Sequence, residues 1–142
     1  MNFLLDTNVV SESIKEVPNS HVMAWLADVD DDRVFLSVVT LAEIKRGVDL
    51  MPPGRRRDRI SHWLEVGLPE RFEGRILGID QRIAVEWGTL TARVKNLGGS
   101  LSSMDAFLAA TADVNRLMLV TRNQKDFEKT ESLQINPWER QE

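Results

Sequence analysis

Four acidic residues, Asp6, Glu43, Asp105 and Asp126, stand in separate segments of the chain, and there is no cysteine anywhere. Without thiolates, any metal must be held by oxygen or by the two histidines. His21 and His62 are not paired at ligand spacing, so neither is assigned a role. If the acids converge, their charges conflict: two carboxylates about 5 Å apart repel by roughly 3 kcal/mol at an effective dielectric near 20. A hard divalent cation, magnesium or manganese, removes that conflict and binds through one or two carboxylates, water and substrate phosphate. Such an ion polarises a phosphoryl oxygen and supplies hydroxide near neutral pH. The chemistry implied is phosphodiester hydrolysis.

Each acid also has a purely local reading. Thr40-Leu41-Ala42-Glu43 fits a capping box at the start of a helix, and Ser102-Ser103-Met104-Asp105 resembles it with Asp in place of Glu. Asp6-Thr7-Asn8 fits a turn whose short side chains bond the next helix's amides. Asp126 fits a surface position beside a core Phe127. What raises the chemical reading is the joint placement of the acids with the hydroxyls of Thr7, Ser37 and Thr121.

That placement depends on the elements. Phe3-Leu4-Leu5 is a short apolar run closed by Asp6, with a helix after it carrying Val9, Val10 and Ile14. Pro18 opens a second helix, Val34 to Ser37 is a strand, and Leu41, Ile44, Val48 and Met51 mark a helix ended by Pro52-Pro53. Gly54 to Phe72 is helical for much of its length, and Arg75 to Ile79 is a strand. Asp80 caps a long helix that Gly98-Gly99 ends. A helix over Ser102 to Val114, a strand over Leu117 to Val120 and an edge strand over Leu133 to Ile135 complete the pattern. Strands alternating with helices give the α/β class, with a mostly parallel central sheet of about four to five strands flanked by helices. With no linker or repeat, residues 1–142 read as a single domain. In open parallel sheets the ligand site lies beyond the carboxyl ends of the strands, which selects Asp6, Ser37 and Thr121-Arg122-Asn123 for one rim, within reach of Glu43, Asp105 and Asp126.

Bulk composition narrows the class further. The chain is 42% hydrophobic and 28% charged, ordinary globular usage that excludes disorder and fibrous repeats. No apolar run approaches a membrane span, and the N-terminus lacks the basic start of a signal peptide, so a cytoplasmic protein is expected. A net charge of −4 runs against simple nucleic-acid affinity. Local basic groups offset it: Arg46, and the crowded Arg55, Arg56, Arg57 and Arg59, are candidate phosphate contacts. Trp25, Trp63 and Trp87 lie on apolar helical faces and read as core or dimer contacts.

Four segments carry a family resemblance: Phe3 to Val9, Ser37 to Gly47, Asp105 to Ala112 and Leu119 to Phe127. In their order and spacing, and with the closing Leu133 to Trp138, they resemble PIN-domain ribonucleases of the VapC-like toxin family, in its FitB-like branch. The resemblance implies that Asp6, Glu43 and Asp105 form a metal-binding acidic core for magnesium, with manganese as a substitute, and that Asp6 and Asp105 are direct ligands. It implies that Glu43 orients or deprotonates the attacking water, giving a 3′-hydroxyl and a 5′-phosphate. Many family members carry an acid where this chain has Asn123, so Asn123 is expected to line the site and Asp126 to support it. Thr7, Asn8, Ser37 and Thr121 would support the carboxylates. The resemblance further implies an RNA substrate, a homodimer in the bacterial cytoplasm, and a small DNA-binding antitoxin partner, with no direct DNA binding by this chain.

Two other readings compete. A haloacid-dehalogenase-type magnesium phosphatase also places an aspartate after its first strand, but would want a second one where Asn8 stands, and its general acid is missing. A catalytically weak PIN module that only binds RNA or protein is favoured by Asn123 and opposed by Asp6, Glu43 and Asp105.

Overall fold

The structure, a computed structural model, describes residues 1–139. Five strands, β1 (Asn2–Leu5), β2 (Val34–Ser37), β3 (Ile76–Leu77), β4 (Leu117–Val120) and β5 (Gln134–Ile135), form one sheet in the order β3-β2-β1-β4-β5. All neighbouring pairs are parallel, with Leu4 opposite Phe35 on one side and Leu119 on the other. The strands are short apolar runs because both faces are covered: Leu4 and Leu119 enter one core cluster, Leu5, Leu36 and Val120 the other.

Helices α1 (Thr7–Glu12), α2 (Ser20–Asp28), α3 (Val38–Leu50), α4 (Arg55–His62) and α5 (Leu68–Arg71) contribute to the cluster around Leu5. Helices α6 (Gln81–Asn96) and α7 (Ser103–Asn115) pack on the opposite face with Leu90, Leu108 and Ala109. Trp25 and Trp63 border the first core, while Trp87 borders the second and stacks on Phe107 at 5.3 Å. Among the described residues, no helix is long and apolar enough to cross a membrane.

Several boundaries differ from the sequence reading, each for a local reason. Helix α2 begins after Asn19, whose side chain accepts from the amides of His21 and Val22, so Pro18 precedes the cap. The expected capping box at Thr40 does not form, because Ser37 caps α3 by accepting the Val39 amide at 3.0 Å. A π-helical stretch over Trp63–Gly67 joins α4 to α5, a wider turn that hydrophobic spacing does not announce. Strand β3 is only two residues long. The end of α6 is as expected: Gly98 takes a positive φ of 77°, and the Gly99 amide returns to the Val94 carbonyl.

The order of the strands fixes where a site belongs. From β1 the chain moves outward through β2 and β3, then returns to place β4 on the other side of β1. The crossovers reverse direction between β1 and β4, and the crevice at their carboxyl ends is where open sheets bind ligands.

Candidate active site

Asp6 sits in that crevice. It follows the last residue of β1, is 5% exposed, and its amide donates to the Val120 carbonyl of β4. As the N-cap of α1 its Oδ1 accepts the Thr7 amide at 2.7 Å, so the local capping reading holds. Capping does not account for the rest. The Asp6 Oδ2 accepts the Thr121 hydroxyl at 2.8 Å, across 115 residues of sequence, and the Asn8 amide group at 3.2 Å. Three donors thus fix a buried carboxylate. Burial, with the charges of Asp105 and Glu43 adding to it, raises Asp6 to about 6 despite the bonds from Thr121 and Thr7.

Glu43 comes from the second turn of α3 and is half-buried. Its Oε1 accepts the Thr7 hydroxyl at 2.7 Å, which ties α3 to α1 and orients the carboxylate. Behind Thr7 stands Thr40, fully buried, with the two hydroxyl oxygens 3.4 Å apart. Thr40 is a site residue that the sequence reading assigned to a cap. The available signal was its position one turn before Glu43 on the same helix face, where a buried hydroxyl needs a partner.

Asp105 lies in the first turn of α7, whose N-cap Ser102 accepts the Asp105 amide at 3.1 Å. Burial raises its carboxyl above the ordinary range; the Ser102 hydroxyl lowers it, while the charges of Asp126 and Glu43 raise it further. Asp126 is exposed on the 3-10 turn after β4, next to a fully buried Phe127, and bears on Asp105 through its charge. Asn123, also exposed, donates its amide to the Thr121 hydroxyl at 3.0 Å. Ser37 is buried and its hydroxyl accepts the Val39 amide, with no bond to a carboxylate among the described residues. Arg46 is exposed on α3 three residues beyond Glu43, and Arg55 and Arg56 are exposed on the first turn of α4; none of the three pairs with an acid among the described residues.

The charges of Asp6, Glu43 and Asp105 act on one another with no cation among their partners. Oxygen donors of this kind suit magnesium or manganese. No three acidic or histidine side chains among the described residues form a group that holds an ion unaided. Magnesium commonly keeps several waters and binds through only one or two carboxylates, a number that Asp6 and Asp105 could supply. The roomy groove lined by Arg82, Glu86, Asp113 and Arg116 is elsewhere, and none of these three acids lines it.

Comparison with known proteins bears on the family and the fold. The chain is 38% identical to plasmid stability protein StbB of Pseudomonas syringae over 96% of its own length and 98% of the relative's. It is 35% identical to toxin FitB of Neisseria gonorrhoeae, covering 95% and 97% of the two chains. It is likewise 35% identical to VapC ribonuclease Y4jK of Sinorhizobium fredii, covering 96% and 97%. Among solved structures, FitAB bound to an IR36 DNA fragment superposes with a TM-score of 0.93 at 32% identity, covering 99% and 98%. That complex is bound to DNA, whereas the resemblance implied a DNA-binding partner and no direct DNA binding by this chain. The PIN domain model matches residues 3–133, which include Asp6, Glu43, Asp105 and Asp126 and leave no place for the haloacid-dehalogenase alternative. A parallel sheet with Asp6 at the β1/β4 crevice, matched by the family model over residues 3–133, makes this chain a member of the PIN domain family.

Proposed function

We propose that this protein is a divalent-cation-dependent endoribonuclease and the toxin of a bacterial toxin–antitoxin pair, acting in the cytoplasm. One observation carries the catalytic reading: a buried Asp6, fixed by three donors, under the charges of Glu43 and Asp105. The likeness to a FitB toxin and a VapC ribonuclease supports the substrate and role.

Asp6 and Asp105 would hold magnesium, or manganese in its place. Bound there, the cation would neutralise charge on the scissile phosphate and make water a better nucleophile. The chain's own contribution is positional. Thr121, Asn8 and the Thr7 amide hold the Asp6 carboxylate in one orientation, so little reorganisation is needed on binding substrate. Glu43, aimed by Thr7, would take a proton from the attacking water as its oxygen bonds to phosphorus and the P–O3′ bond breaks; the 3′ oxygen takes a proton from solvent, leaving a 5′-phosphate and a 3′-hydroxyl. Asp126 adds negative charge near Asp105, in place of the acid that Asn123 does not supply. Arg46, Arg55 and Arg56 are candidate contacts to RNA phosphates. In the assembly we read this chain as a homodimer held by a small antitoxin, with DNA joined through the antitoxin.

Cleavage of a mixed cellular RNA pool by antitoxin-free protein tests this, with magnesium against chelator and wild type against Asp6→Asn. Loss of a group on which the whole site depends lowers the rate by about 10³-fold or more. Equal cutting by both proteins would reveal a contaminant and leave the non-catalytic binding module as the better reading.

A further inference from the structure

An acidic site in a chain of net charge −4 repels a polyanion, so an RNA strand needs a cationic foothold near Asp6. Arg122 is built into the rim of the site. It directly follows Thr121, whose hydroxyl holds Asp6, and its own amide donates to Asn8 Oδ1 at 3.4 Å. Its backbone is thereby fixed to two of the groups that fix Asp6.

The side chain is held in a way that leaves its donors open. The guanidinium lies 5.2 Å from the centroid of the Trp138 ring. Trp138 is itself anchored, its amide donating to Asn136 Oδ1 at 2.9 Å and its carbonyl meeting His21 Nδ1 at 3.2 Å. Other arginines use their forks inside the fold: Arg33 and Arg75 donate to backbone carbonyls, Arg93 to the Thr130 carbonyl. Among the described residues the Arg122 guanidinium makes no hydrogen bond and no ion pair. Glu12 acts on it only through space, since its carboxylate is taken by Lys15 at 2.8 Å and by the Asn19 amide. A stacked guanidinium keeps its charge and its planar edge while losing rotamer freedom in advance, the arrangement that favours two-point contact with phosphate.

We propose that Arg122, stacked on Trp138, is a substrate-binding residue that grips an RNA backbone phosphate beside the acidic cluster. This rests on the ribonuclease reading. A purely structural alternative is that Arg122 only pins the segment carrying Trp138 to the body of the protein.

The test compares full-length wild type, Arg122→Ala and Arg122→Lys on a labelled single-stranded RNA, with Asp6→Asn alongside. Arg122→Ala is expected to raise KM about tenfold with kcat little changed, the loss of one charge-assisted contact. The slope of log affinity against log salt should shrink by about 0.7, as for one phosphate contact on a single strand. Arg122→Lys should recover the slope but only part of the affinity. Unchanged KM and slope would overturn the proposal, as would a fall in thermal stability with the salt slope intact. If wild type fails to cut, or Asp6→Asn cuts equally, the ribonuclease reading fails on its own. Fluorescence anisotropy of the uncut RNA then still decides for Arg122: weaker binding with a smaller salt slope upholds the phosphate contact, and equal binding overturns it.

Discussion

Asp6 illustrates how one side chain serves both fold and chemistry at a cost. Its carboxyl is raised from 3.8 to about 6 by burial and by neighbouring negative charge. The folded state therefore holds this proton more tightly than the unfolded chain does, and stability from this group is greatest at low pH and falls as pH rises from about 4 to about 6. The whole change is on the order of 3 kcal/mol. Urea denaturation in chelator across that range should show the decline, and Asp6→Asn should flatten it and be more stable than wild type at pH 7. A wild-type stability that rises over the same range would refute the assignment. Read from sequence, Asp6, Glu43 and Asp105 were each ambiguous between cap and catalyst. The structure shows why: Asp6 does cap α1, and Ser102 does cap the helix of Asp105. Local chemistry at a strand–helix junction uses the same residue types as the site, so only the contacts between segments separate the two. The Thr7–Glu43 and Thr121–Asp6 bonds are such contacts, and no spacing rule discloses them.

Among the elements, the strands were the most legible, since β1, β2 and β4 are uninterrupted apolar runs closed by polar residues at the carboxyl edge. Less was legible where geometry overrides pattern. Strand β3 pairs only at Leu36–Ile76 and Ser37–Leu77, so its length is set by its partner and not by its own apolar residues. The turn from α7 into β4 was hidden for a similar reason. Arg116 adopts a left-handed conformation, φ 54° and ψ 46°, at the place where glycine is the usual choice. Arg116→Gly should relieve that strain and stabilise the protein by about 0.5–1 kcal/mol, after allowing for glycine's extra freedom when unfolded. The midpoint of urea denaturation measures it, and a lower midpoint would mean that the arginine side chain contributes more than its backbone costs.

At the scale of the whole molecule, the site joins both sides of β1 and helices from both faces of the sheet, so occupancy and global stability are linked. A divalent cation bound only by the folded state, at about 100 times its dissociation constant, adds about 2.7 kcal/mol and raises Tm by roughly 5–10 °C. Differential scanning calorimetry with magnesium or manganese against chelator reads this without any RNA, and Asp6→Asn should abolish the rise. No rise in wild type would remove the metal from the proposed mechanism. The bond from Thr121 to Asp6 has a further consequence, for the order of events during synthesis. The aspartate is among the first residues made, and the hydroxyl that holds it comes 115 residues later. At about 5–20 residues per second, the ribosome needs on the order of 10 s to supply it. Throughout that interval β4 is absent and Asp6 lacks the hydroxyl that orients it, so the site is unfinished until the chain is almost complete. On the proposed function, cutting therefore begins only near the end of synthesis, in one step with the completion of the sheet.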